Sequence, residues 1–425
     1  MEISKILKEE YGLCDKVIEL GHIAEENIRS TFDGINETAE YNQIKVLKAF
    51  SEYRVSEAHL GLSTGYGYDD LGRDTLEKIY ATVFGTEAAL VRHSIVSGTH
   101  ALCSCLFGIL RPGDILVSAT GAPYDTLEEV IGKRGNSGAS LKDWGIDYIE
   151  VALTPEGKVD KAGLLEVLKN PKVKMVELQR SKGYAWRLSY TVEELKEVID
   201  VIKNSRPDVV VMVDNCYGEF VEKIEPTNVG ADIMAGSLIK NPGGGLALTG
   251  GYLAGRADLV EQVSYRLTSP GIGAEVGASL GQNRNMYQGF FMAPHTVAQS
   301  LKTAVFAAEM FSLLGFEVAP TTHEVRGDII QAVKLNSAEN LCAFCQGIQR
   351  GAPIDSFVTP EPWDMPGYSD QVIMAAGAFV SGASIEISAD GPLREPFAAY
   401  MQGGLTYESG KLSVLCAANN ILKLK

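Results

Sequence analysis

Between residues 88 and 255 the chain alternates short apolar runs with stretches of helical periodicity. The runs are AALV (88–91), DILVSAT (114–120), IDYIEVAL (146–153), VKMVELQ (173–179), DVVVMVDN (208–215), ADIMAGSL (231–238) and TGGYLAG (249–255). Helical patterns separate several of them, at 97–110, 123–133, 160–169 and 191–204. Runs that are apolar throughout are buried on both faces, and strands joined through helices pair in parallel. The pattern predicts an α/β fold on one mainly parallel sheet of about seven strands, covered on both faces.

Outside this region the periodicity differs. Residues 2–32 read as one amphipathic helix, with Ile3, Ile6, Leu7 and Tyr11 on one face and Val17, Ile18 and Leu20 further along. A second helix is expected at 35–52, then the loop GLSTGYGYDDLGRD and a helix at 74–85. A long helical pattern occupies 295–314. Beyond it lie strand-like EVAP, DIIQAVKL, SFVTPE, QVIMAAGAFV and SIEIS, with helices at 337–350 and 409–422. The expected division is an N-terminal helical arm (1–55), a large domain (56–295) and a smaller C-terminal α/β domain (296–425).

Composition narrows the classes. The 425 residues suffice for two or three domains, and 45% hydrophobic with 22% charged residues is ordinary for a globular protein. A net charge of −16 argues against nucleic acid or an anionic membrane as partner. No apolar run is long enough to span a bilayer, and the charged start does not read as a signal peptide, so a cytoplasmic protein is expected. Seven scattered cysteines do not form a disulfide framework. Cys342 and Cys345 form a CxxC, but inside an apolar helical run and with no second ligand pair, so buried thiols are expected and no metal site.

Four segments carry candidate chemistry. In GSLIKNPGGG, Lys240 follows a buried strand and precedes Pro-Gly-Gly-Gly, which no helix can cross, so the lysine sits on a strand-end loop where α/β proteins bind ligands. Desolvation there would lower its pKa and make it a Schiff-base nucleophile. In VVVMVDNCYGEF, Asp214 ends an apolar strand, and a buried carboxylate needs a partner such as a pyridinium N–H. In VSGTHAL, Ser97, Gly98 and Thr99 open a helix and offer backbone N–H groups and hydroxyls to a phosphate. In GAPYDTLEEV, Tyr124 follows a strand end and could stack on a planar ring. Each alone has a plain alternative: a turn lysine, a helix cap, a cap again, a surface tyrosine.

Together, with TGYGYDDLGRDTLE, QRSKGYAWR, SPGIGAEVG and ADGPLREPFAAYMQGGLTYE, these stretches resemble the fold type I pyridoxal-phosphate (PLP) enzymes of the Cys/Met-metabolism group. The likeness is closest to the methionine γ-lyase-like, "aluminium resistance" family, and it covers nearly the whole chain. It implies pyridoxal 5'-phosphate as cofactor, Lys240 as its Schiff-base lysine, Asp214 on the pyridine nitrogen, Ser97, Gly98, Thr99 and Ser237 on the phosphate, and Tyr124 on the ring. It further implies a tyrosine, Tyr66 or better Tyr68, reaching a neighbouring subunit's site, hence a homodimer or homotetramer with shared active sites. Tyr68 or Tyr124 would assist the leaving sulfur. The wider group's phosphate arginine is replaced by Asp70, leaving Arg73 as a substitute, and its Arg-Leu-Ser is Lys411-Leu412-Ser413 here. Arg394 becomes the expected carboxylate clamp, with Arg180 and Arg187 as further candidates and Tyr66 and Ser181 as substrate contacts. The SPGIGAEVG loop follows Ser-Pro rather than a strand, so it is not read as a dinucleotide loop. The implied reaction is elimination of a thiol from a sulfur amino acid. The reaction would be of the methionine γ-lyase or cystathionine β-lyase type, giving a 2-oxo acid and ammonia; the alternatives are a PLP-dependent aminotransferase or other amino-acid PLP enzyme such as a decarboxylase, or a non-catalytic metal-tolerance protein.

Overall fold

A computed structural model describes residues 3–365 and 370–424. The chain packs as two compact units, one of Tyr41–Gly183 with Ser189–Met292, the other of Met1–Glu40, Tyr184–Leu188 and Ala293–Lys425.

The larger unit is built on a seven-stranded sheet: β1 (Ala88–Arg92), β2 (Ile115–Ser118), β3 (Asp147–Glu150), β4 (Val173–Gln179), β5 (Val210–Asp214), β6 (Ile233–Ser237) and β7 (Gly251–Gly255). Their order is β1-β7-β6-β5-β4-β2-β3. β7 runs against both neighbours and the other six share one direction, so the sheet is mainly parallel, as expected. Every residue of β2, β5, β6 and β7 is buried, which is why these segments read as unbroken apolar runs. Helix Gly98–Ile109 lays Leu102, Cys105, Leu106 and Ile109 into the core shared with Met212, Ile233 and Leu253. Helix Val192–Ser205 starts at a capping box in which Thr191 and Glu194 satisfy each other's backbone N–H.

The smaller unit carries an antiparallel sheet of β8 (Glu317–Ala319), β9 (Gln331–Lys334), β10 (Val372–Ala376), β11 (Ser388–Pro392) and β12 (Ala398–Gln402), ordered β10-β11-β12-β9-β8. Val333, Ile373, Ala389 and Met401 join the core formed with helices Ala338–Arg350 and Tyr407–Leu422. Three strand expectations change here. SFVTPE forms no strand. SIEIS contributes only Ser388, because Ile385 and Ile387 are buried from turns ahead of β11. β12 was not expected; all five of its residues are buried, and it pairs on both edges.

The single helix expected over 2–32 is broken. Helices Ile3–Glu9 and Asp15–Asn27 flank a turn at Gly12, whose φ is +64°, and helix Arg29–Glu52 follows. The break is a tertiary decision: Asn419 of the C-terminal helix accepts from the Cys14 N–H at 3.0 Å and donates to the Gly12 carbonyl at 3.3 Å. The later long helix spans Asn283–Leu313 and runs through Pro294. Among the described residues, no helix is long and apolar enough to cross a membrane.

Candidate active site

The chemistry-bearing residues of the larger unit gather at the ends of β5 and β6. β6 stops at Ser237, and the chain turns through Lys240 into the short helix Asn241–Gly243. Only glycine fits at 243, because a Cβ there would sit 1.7 Å from the Leu238 carbonyl oxygen. The buried Asn241 fastens this turn to the loop after β5, donating through Nδ2 to the carbonyls of Tyr217 (3.0 Å) and Glu219 (2.9 Å). In that loop Tyr217 has a φ of +73°, a left-handed conformation costly for a bulky residue and typical of functional sites. The half-buried Lys240 Nζ stands 4.0 Å from the centre of the Tyr217 ring.

Asp214 ends β5 with its side chain buried, and its Oδ1 accepts from the Cys216 N–H at 3.0 Å. Burial raises the Asp214 pKa, against Lys240 and the Cys216 N–H, which favour the carboxylate. Burial pulls the Lys240 pKa down, but Cys216, Tyr217 and Asp214 push it further up, so it lies above the ordinary lysine value. This corrects the expectation of a lowered pKa. Desolvation is legible in a buried sequence context, but the acidic groups folded around the amine are not. The Cys216 thiol is itself pushed up by burial and by the Asp214 charge.

Ser97 caps helix Gly98–Ile109, its Oγ accepting from the His100 N–H at 3.0 Å. Gly98 lies against the Asp214 loop and the end of β6. A Cβ there would meet Cys216 Sγ at 3.2 Å and Ser237 Cβ at 3.4 Å. Ser97, Gly98 and Ser237 therefore converge at a helix N-terminus beside Asp214 and Lys240. Thr99 Oγ1 lies 2.9 Å from Thr126 Oγ1. Tyr124 precedes the helix Asp125–Ile131, more than a third exposed, and approaches Gly183. Ser181 is buried, and its carbonyl accepts from Gln179 Nε2.

The remaining candidates make other contacts. Tyr66 and Tyr68 are 72% and 60% exposed and stack on each other at 5.5 Å between ring centres. Arg73 is not a spare cation. It is buried, donates to the carbonyls of Gly67, Glu275 and Gly277, and pairs with Asp74. With Arg92, which reaches the carbonyls of Ala274 and Val276, it ties down the SPGIGAEVG loop. Asp70 caps helix Leu71–Phe84. Burial would raise its pKa, yet hydrogen bonds from the Arg73 N–H, Ser63, Ser279 and Asn283 hold it at about 2. Arg180 is fully buried, and each of its three nitrogens already has an acceptor. In the smaller unit, Arg394 is half exposed and pairs with Asp370 at 2.9 Å, Arg187 donates to the Leu188 carbonyl, and Lys411 pairs with Glu25.

Sequence reading passed over Cys216, Tyr217, Glu219 and Asn241, although all four lie inside the two motifs that drew attention to Asp214 and Lys240. Tyr252, whose hydroxyl donates to Glu219 at 2.8 Å, had no signal beyond belonging to a buried strand.

A mainly parallel seven-stranded sheet with a lysine on a strand-end turn, a carboxylate at the end of the adjacent parallel strand and a helix N-terminus beside both gives the chain the type I fold of PLP-dependent enzymes. The fold is shared with the PLP-dependent protein YhfS of Escherichia coli (TM-score 0.61, 16% identity, covering 90% of this chain and 96% of that one). Within that class the chain belongs to the methionine gamma-lyase family, whose model matches residues 17–422. It is 55% identical over 400 residues to the uncharacterized protein YnbB of Bacillus subtilis, covering 94% of this chain and 95% of that protein. It is 51% identical, with a TM-score of 0.95, to a carbon-sulfur lyase involved in aluminum resistance from Clostridium novyi NT, covering 99% of this chain and all of that one.

Proposed function

We propose that the chain is a PLP-dependent carbon–sulfur lyase that removes a thiol from a sulfur amino acid and leaves ammonia and a 2-oxo acid. The observation that carries this reading is the placing of Asp214 at the end of β5 and Lys240 just beyond the end of the adjacent parallel strand β6, close enough to influence each other's charge and next to the N-terminus of helix Gly98–Ile109. These residues fit the cofactor. The amine would hold its aldehyde carbon, Asp214 its ring nitrogen, Tyr124 its ring face, and Ser97, Gly98, Thr99 and Ser237 its phosphate. Gly98 favours this assignment, because any side chain there would fill the space against Ser237.

When bound, pyridoxal phosphate supplies an electron sink for the pair left behind as Cα loses its proton. The chain's own groups do the rest. Asp214 keeps a proton on the ring nitrogen, which makes the sink effective. Lys240 would take the Cα proton as general base. Arg394 would clamp the substrate carboxylate, since a planar fork suits it better than an ammonium does. Tyr124, or Tyr68 from a second copy of the chain, would give the departing sulfur its proton. The exposed Tyr66–Tyr68 pair supports a homo-oligomer with shared sites. Over the cycle one water is consumed, and thiol, ammonia and 2-oxo acid are released.

The test is to load the full chain and Lys240→Ala with pyridoxal phosphate and record visible absorption before and after borohydride. L-methionine, L-cystathionine and L-cysteine are then supplied separately, and 2-oxo acid, thiol and ammonia are assayed. A visible band removable by borohydride only when Lys240 is present, with 2-oxo acid and ammonia formed from one substrate alone, is the expected result. No band overturns the cofactor assignment. Products that appear only when a second oxo acid is added overturn the lyase reading in favour of transamination.

A further inference from the structure

Beneath the Lys240 turn lies a carboxyl group that the proposed chemistry does not use. Glu219 is fully buried two residues beyond Tyr217. Its Oε1 accepts from the Tyr252 hydroxyl at 2.8 Å, and among the described residues its Oε2 has no hydrogen-bond partner. It is packed directly under β6, where a Cβ on Gly236 would meet Glu219 Oε1 at 2.5 Å and the Tyr252 ring at 2.7 Å. The surroundings are dry and aromatic: Tyr252 lies 5.8 Å from Tyr80 and 5.4 Å from Phe84, and Phe220 lies 5.6 Å from Phe84. Asn241, the residue after Lys240, is hydrogen-bonded to Glu219's own carbonyl, so the lysine turn and the glutamate share one rigid connection.

The titratable and charged groups around Glu219 come from every element packed on it. Tyr252 comes from β7, Tyr80 from helix Leu71–Phe84, Lys240 from the turn after β6, and Cys216 and Glu225 from its own loop. Glu225 is a fixed neighbour. It is fully buried and bound to Asn215 Nδ2 and the Phe220 N–H, both at 2.9 Å, and to Arg180 at 3.4 Å. A second charge beside it, buried in an aromatic chamber, is unfavourable.

We propose that Glu219 is a positioning residue for Lys240. As a neutral acid under the lysine turn it leaves the lysine's proton to Asp214, and on ionising it adds a second anion that ties that proton down. The inference rests on reading Lys240 as the reactive amine. Burial, with Glu225 adding to it, pushes the Glu219 carboxyl up to about 8, against its own backbone N–H, the Tyr252 hydrogen bond and Lys240. Its ionisation therefore falls just on the alkaline side of neutrality. Below that point Lys240 releases its proton more readily; above it, the amine is harder to free.

The experiment reads Lys240 itself in the full chain after cofactor removal. Competitive acetylation by acetic anhydride between pH 6.5 and 10, with the Lys240 peptide quantified by mass spectrometry, gives the free-amine fraction. In the wild type, reactivity should rise with pH and then flatten above about pH 8. Glu219→Gln, a permanently neutral stand-in, should match the wild type at pH 6.5 and exceed it severalfold at pH 9. Tyr252→Phe removes a donor that favours the carboxylate, so its flattening should move to higher pH. Coincident profiles for Glu219→Gln and wild type overturn the proposal, as does a difference already present at pH 6.5 with the circular dichroism unchanged. If Glu219→Gln does not fold, the Tyr252→Phe displacement decides, and an unmoved profile refutes the idea. Failure of the lyase reading is seen separately, as the absence of cofactor fixed at Lys240.

Discussion

Arg180→Met is the sharpest test of how the larger unit holds its site. Arg180 follows β4, is fully buried, and donates to the Tyr190 carbonyl (3.3 Å), Asn215 Oδ1 (2.9 Å), the Gly218 carbonyl (3.0 Å), Glu225 (3.4 Å) and Glu222 (2.6 Å). Its own N–H donates to the Asp214 carbonyl at 3.1 Å, so the network backs directly onto the candidate site. Methionine keeps most of the volume and removes the charge. Glu222 is 24% exposed on its side chain and can rehydrate, so its loss costs little. Glu225 is fully buried and keeps Asn215, the Phe220 N–H and its capping-box N–H but no cation in place of Arg180, so it is left as an under-compensated anion. Breaking a buried pair from one side costs about 3–5 kcal/mol, and the hydrogen bonds lost to the carbonyls of Tyr190 and Gly218 keep the expectation in that range. Removing both charges is cheaper, so Arg180→Met with Glu225→Gln should regain about 1–2 kcal/mol. The assay is urea-dependent hydrogen exchange read on peptides of β4 and β5, because a two-unit chain need not unfold in one transition. A single variant within about 0.5 kcal/mol of wild type, or a double variant no more stable than the single, would refute the reasoning.

Two further outcomes follow from the geometry around the site. Asp70, held at about 2, contributes stability that is complete above the ordinary carboxylate value of 3.8 and lost as pH falls toward 2. Between pH 5 and pH 2 the wild type should therefore lose about 1–2 kcal/mol more than Asp70→Asn in urea midpoints, and equal losses would show the cap is not a charged one. Gly243→Ala puts a methyl 1.7 Å from the Leu238 carbonyl oxygen, a backbone contact that cannot yield without moving the Lys240 turn. Borohydride trapping of pyridoxal phosphate on the Lys240 peptide should be lost while far-ultraviolet circular dichroism is kept, and normal trapping would mean the turn tolerates the shift.

The architecture of the larger unit was legible because burial on both faces leaves a direct imprint. All seven apolar runs became the seven strands of one sheet, and VKMVELQ matches β4 residue for residue. Lys240 and Asp214 were legible for a related reason. A charged residue at the end of an apolar strand, followed by a segment that cannot be helical, is forced to the edge of the sheet where such strands end. Ser97 was readable as a helix start, and its neighbours Gly98 and Ser237 do meet beside the Asp214 loop.

Other features depend on contacts between residues far apart in the chain. Nothing local breaks the helix expected over 2–32 as decisively as Asn419 does, more than 400 positions away. Arg73 and Arg180 each had the chemistry of an anion receptor, and folding committed both to internal acceptors. The direction of the Lys240 shift was misread for the same reason: burial is a property of a segment, but electrostatic balance belongs to the set of groups that folding assembles. Glu219 shows this most clearly. By itself it is one acidic residue in a polar-looking motif. Only the packing of Tyr252, Gly236 and Glu225 against it turns it into a buried acid under the Lys240 turn.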